Sequence, residues 1–137
     1  MGMYTEFNFA AKLKSDAPKE VFHALDVLVN RAVMRVEDMP DHEFFKCERW
    51  RMLAWCRSAY FDAEPHSYFG KPREWENEYT VQILCNLKNY DGEIEKFVDW
   101  ITPYLDCIDG QFLGYSRYEE FTKPNLLNHP NKWTESK

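Results

Sequence analysis

Hydrophobic and polar positions alternate along the first stretch of the chain. In YTEFNFAAKLK (residues 4–14), Thr5, Phe7, Phe9, Ala11 and Leu13 fall on one face, and Tyr4, Glu6, Asn8, Lys12 and Lys14 on the other. Period two predicts a half-buried strand. Ser15, Asp16 and Pro18 then supply helix-start chemistry, and Val21, Phe22, Leu25, Leu28 and Val29 follow at helical spacing. Residues 30–47 are irregular, with Pro40 breaking any long helix, and predict a long connection with room for a short helical or strand piece. Alternation returns in RWRMLAWCRSAY (residues 49–60). Its expected core face is Trp50, Met52, Ala54, Cys56, Ser58 and Tyr60, and its outer face is Arg49, Arg51, Leu53, Trp55, Arg57 and Ala59. A Pro- and Gly-bearing loop over 61–76 leads to a third strand, 78–89, with Tyr79, Val81, Ile83, Cys85 and Leu87 inward.

Asp91 is the expected cap of a second helix, with Glu93 and Glu95 in its first turn and Ile94, Phe97, Val98, Ile101, Tyr104 and Leu105 along its apolar stripe. Gly110 separates that helix from a fourth strand, 111–120. The order β-α-β-β-α-β predicts an α+β, ferredoxin-like sandwich: a four-stranded antiparallel sheet with two helices on one face. The expected boundaries are a single domain over 1–122 and an extended C-terminal tail over 123–137. Phe7, Phe9, Leu13, Phe22, Leu25, Leu28, Ile83, Phe97, Val98 and Ile101 are the expected core.

Composition narrows the function. Seventeen basic against 23 acidic side chains leave a net charge of −6 across 137 residues. All of the excess lies in residues 61–137, which disfavours nucleic acid as a partner, since phosphate contacts supply most non-specific affinity. No apolar run is long enough to span a bilayer, and the first residues lack a basic-then-apolar leader, so the expected location is the cytoplasm. Cys47, Cys56, Cys85 and Cys107 form no C-x-x-C pair and read as reduced thiols.

Catalytic and cofactor signatures are absent. There is no Gly-rich phosphate loop, no G-x-S-x-G and no H-E-x-x-H, and the cysteines are too scattered for an iron–sulfur cluster. His42 and Cys47, five residues apart, do not make a metal site, which needs three or four converging ligands. Cys56 points inward by the alternation and makes a poor nucleophile. No metal, cofactor or catalytic residue is expected.

The most informative feature is the stripe Arg49, Arg51, Trp55 and Arg57. Guanidiniums and an indole on one face suit a carboxylate, a phosphate or an acidic protein patch. The competing explanation is an edge strand blunted by charge, with arginine stems over Trp55. Tyr115 and Arg117, in the run YSRYEE, repeat the pattern on the last strand, where charges can pair across strands or meet Arg49 or Arg57. These six residues form the expected binding face on the open side of the sheet.

The run NLKNYDGEIEKFVDWITPYLD (residues 86–106), followed by FLGYSRYEE and preceded by the opening YTEFNFAAKLKSDAPKEV, resembles a family of small, uncharacterised phage and prophage proteins. The resemblance covers about a third of the chain. It implies a small accessory protein acting in the host cytoplasm, with no activity or site residue to carry over. The expected function is therefore non-catalytic: contact with a protein partner, a second copy of the chain being one candidate, through the open sheet face. The alternative is a small-molecule binder or minor enzyme with a pocket lined by Tyr68, Phe69 and Trp75 of the 61–76 loop.

Overall fold

The computed structural model describes residues 3–33, 35–58, 61 and 63–135. Strand β1 (Thr5–Lys12) carries the expected alternation, with Phe7 and Phe9 wholly buried and Ala10 and Lys12 exposed. Helix α1 (Lys19–Asn30) begins after Pro18, whose missing N–H costs nothing at a helix start. It buries Val21, Ala24, Leu25 and Leu28, while Phe22 is half-buried against Phe69 and Tyr79. After a 3-10 turn at Val36–Asp38, the short helix α2 (Glu43–Lys46) is capped by His42, whose ring Nδ1 accepts from the Phe44 amide at 3.0 Å. A second 3-10 turn, Trp50–Met52, precedes strand β2 (Tyr68–Gly70).

Strand β3 (Thr80–Leu87) runs beside β1, with Ile83 opposite Phe9 and Cys85 opposite Phe7. Helix α3 (Glu93–Ile101) starts behind Gly92, which holds φ +70°. Its capping oxygen is Asn89 Oδ1, 2.9 Å from the Ile94 amide, rather than Asp91. Strand β4 (Phe112–Tyr118) lies on the far side of β1, and strands β5 (Asn125–Asn128) and β6 (Lys132–Glu135) form a hairpin beyond it. The sheet order is β2-β3-β1-β4-β5-β6, with every pairing antiparallel.

Phe97 of α3 sits at the centre of the core. Its ring lies 5.5 Å from Phe9, 6.2 Å from Phe7 and 5.5 Å from Phe44, each edge-on. Burying such a side chain contributes roughly 1.5–3 kcal/mol by area alone, and edge-to-face packing adds to it. Phe22 of α1 meets Phe69 of β2, so α1 and α3 cover the same face of the sheet. No helix among the described residues is long and apolar enough to cross a membrane.

The expected ferredoxin-like sandwich, with four strands and two helices, is overturned: among the described residues the sheet has six strands and there are three α-helices. Residues 50–55 are not a strand but a 3-10 turn and the bend after it. Trp50, Leu53 and Ala54 are the buried positions, at i, i+3 and i+4, whereas Met52 is 48% exposed. Ala59 and Tyr60, also expected in that strand, lie outside the described residues. The second strand comes later and is three residues long. The expected tail instead carries β5 and β6, held to the sheet by Leu127, which is fully buried opposite Gly114.

Candidate functional site

The stripe expected on one strand face is dispersed by the turn that replaces the strand. Trp55 faces the helix layer: its Nε1 donates to the Val29 carbonyl at the end of α1, 2.7 Å away, and Arg31 lies over its ring at 5.6 Å. Arg51 rests on Trp50 at 5.1 Å and Arg49 on Tyr90 at 5.4 Å. Arg57 leaves the group and pairs with Glu64 at 2.7 Å. The segment stays beside the sheet because the Cys56 carbonyl accepts from the Asn86 amide and the Ala54 carbonyl from the Ser67 hydroxyl, at 2.9 and 2.6 Å.

Arg49, Arg51 and Trp55 nevertheless stay close, around Met52. On one side Met52 borders a cavity of about 360 Å³ with Val27, Leu28, Arg31, Arg51 and Trp55. On its other side it borders one of about 180 Å³ with Tyr4, Arg49, Cys56, Leu87 and Lys88. Lys88 stands over the Tyr4 ring at 5.6 Å. The sequence reading missed Arg31, Met52 and Lys88 here. Lys88 carried no signal, since it reaches the place from the end of β3, far away in the chain.

Tyr115 and Arg117 sit elsewhere, on the sheet face turned away from the helices. Glu6 and Arg117 are cross-strand partners, and Arg117 Nε reaches the Glu6 carboxylate at 3.4 Å while its guanidinium lies over Phe61 at 5.0 Å. The Tyr115 phenol is pushed up by burial and then by the adjacent Glu6. Arg117 thus pairs across strands with the Glu6 carboxylate, and Arg57 pairs with Glu64, so of the two arrangements expected for the Tyr115–Arg117 run the cross-strand pairing forms and contact with Arg57 does not.

The same face carries one row across five strands: Leu84, Asn8, Tyr115, Leu126 and Thr134, each opposite the next in register. Leu84, Tyr115 and Leu126 are half-buried. A neighbouring row holds Tyr68, Gln82 and Ala10.

The catalytic and metal pairings weighed from the sequence, Cys56 with a histidine and His42 with Cys47, do not assemble among the described residues. The Cys56 thiol is directed at the Arg57 carbonyl, 3.9 Å away, rather than at an imidazole, and burial pushes its pKa up against the pull of Lys88 and Arg49. His42 is committed to structure at both ring nitrogens, with Nε2 2.9 Å from the Asp99 carboxylate. Among the described residues no group of three or more His, Cys, Asp or Glu could hold a metal ion. The rings of the 61–76 loop do not share a pocket. Phe69 is buried on the helix face, Tyr68 points to the opposite face, and Trp75 stands out in solvent beneath Arg73.

No family model, curated protein or solved structure matches the chain.

Proposed function

We propose that this chain is a non-catalytic binding protein that works in the cytoplasm through contact between a protein partner and the sheet face opposite the helices. The observation that carries the reading is the row Leu84–Asn8–Tyr115–Leu126–Thr134. It sets Tyr115 beside Leu126, with Leu84 one strand further on across Asn8, on the face that neither α1 nor α3 covers. Its polar flanks, Gln82 and Lys12 among them, suit a surface that must also exist in water. The four free thiols, with Cys85 wholly buried, fit a reducing compartment. We propose as part of the same reading the setting that the sequence resemblance implies, a host cell in which a viral accessory protein meets its target.

The test is affinity capture from that host with the tagged chain, beside a Leu84→Glu, Leu126→Glu variant of equal thermal stability. Sedimentation across concentration covers the case in which the partner is a second copy. A partner held by the parent chain and lost from the variant supports the reading. Equal capture by both chains, or substrate turnover by the purified protein, overturns it.

A further inference from the structure

The seven arginines sort by their partners. Arg35, Arg57, Arg73 and Arg117 each hold a carboxylate. Arg31, Arg49 and Arg51 hold none among the described residues; each lies on an aromatic ring, and all three line the two cavities that Met52 separates. Lys88, also without a carboxylate among the described residues, completes the set on the Tyr4 ring. Among the described residues no acidic side chain lines either cavity. On a chain of net charge −6, four cations here run against the overall balance.

We propose that this groove, with Arg31 and Arg51 on one side of Met52 and Arg49 and Lys88 on the other, binds an acidic segment of a partner protein whose apolar side chain packs on Met52 and Trp55. Ring-stacked guanidiniums are held in place yet keep donors free, so a carboxylate is met at little ordering cost. The walls between the cations are apolar: Val27, Leu28 and Leu87. A methionine 48% exposed between two cavities adapts its shape to an inserted side chain. Cavities on both sides of Met52 call for an extended ligand rather than a small anion. Nucleic acid is the weaker candidate, because four cations neutralise few phosphates and the remaining surface repels a polyanion. This groove shares no residue with the Leu84–Leu126 row, so the two surfaces stand or fall separately.

The probe is a fluorescein-labelled, end-blocked peptide of about nine residues, Asp and Glu around a central Phe, followed by anisotropy against the whole chain. Saturable binding is expected, weakening about tenfold or more between roughly 50 and 300 mM sodium chloride as screening sets in. The Arg49→Gln, Arg51→Gln double variant should bind at least about tenfold more weakly, and Leu84→Glu, Leu126→Glu should bind as the parent does. Bound peptide should also protect Cys56 from iodoacetamide while Cys107, beside the opposite end of β1, reacts as before. Thermal unfolding checks each variant; if the double one is unstable, Arg51→Gln alone, on an exposed side chain, gives the same readout in smaller measure. The proposal is overturned by any of four results: no saturable binding, equal binding of the Asn/Gln counterpart peptide, indifference to the arginine substitutions, or tighter binding of a single-stranded oligonucleotide at the same groove.

Discussion

The Trp55 indole N–H donates to the carbonyl of Val29, 2.7 Å away, and so ties the bend after the 3-10 turn to the last turn of α1. That carbonyl is one of those a helix end leaves without an internal partner. Trp55→Phe keeps a ring but leaves the carbonyl unmatched in a half-buried setting. It should lower stability by about 1–3 kcal/mol in urea unfolding, well beyond what an exposed position gives.

Phe97 is fully buried among Phe7, Phe9 and Phe44. Phe97→Ala opens a cavity where rings from β1, α2 and α3 converge, and should cost about 3–5 kcal/mol. Phe97→Leu should recover more than half of the loss in the same denaturation series.

Gly114 holds φ +153°, and a Cβ there would stand 1.9 Å from the Asn8 carbonyl oxygen. No side-chain rotation relieves a clash with backbone. Gly114→Ala should therefore push β4 off β1, at a cost of at least about 2 kcal/mol. Hydrogen exchange should speed up first at the β1 and β4 amides, while the β2–β3 pairing is less affected.

Cys85 is fully buried, and burial pushes its thiol well above the ordinary value of 9.0. A raised folded pKa means the folded state keeps the proton longer than the unfolded state does. The stabilisation is whole below about pH 9 and is lost as pH climbs toward the folded value. Unfolding free energy measured from pH 8 to 11 should fall with pH, and Cys85→Ala should flatten that slope even though it lowers stability at pH 8. Under native conditions a thiol reagent should reach Cys56 and Cys107 well before Cys85.

Legibility in the sequence followed the burial contrast of each element. β1 was readable because Phe7 and Phe9 alternate with Glu6 and Asn8, and α3 because Phe97, Val98 and Ile101 recur against Glu95 and Asp99. Residues 49–60 misled because arginines at 49, 51 and 57 mimic a polar face of period two, while the buried Trp50, Leu53 and Ala54 carry helical spacing. The hairpin at the end was hidden by its size. Two four-residue strands show too few alternations, and they reach the core through one fully buried residue, Leu127, and the half-buried Trp133. The groove was half legible. Arg49, Arg51 and Trp55 stand out in the chain, but the contribution of Arg31 and Lys88 depends on where α1 ends and β3 stops, which pattern does not reveal.

The two outermost strands decide how the protein behaves at high concentration. β2 is only three residues long, has its Phe69 carbonyl taken by the Asn30 side chain, and is followed at once by Lys71 and Pro72, and β6 ends the sheet with the charged, exposed Lys132 and Glu135. Short length, charge and a nearby proline are what keep a free strand edge from templating another chain. Edge-to-edge pairing with another sheet is thereby disfavoured at both margins.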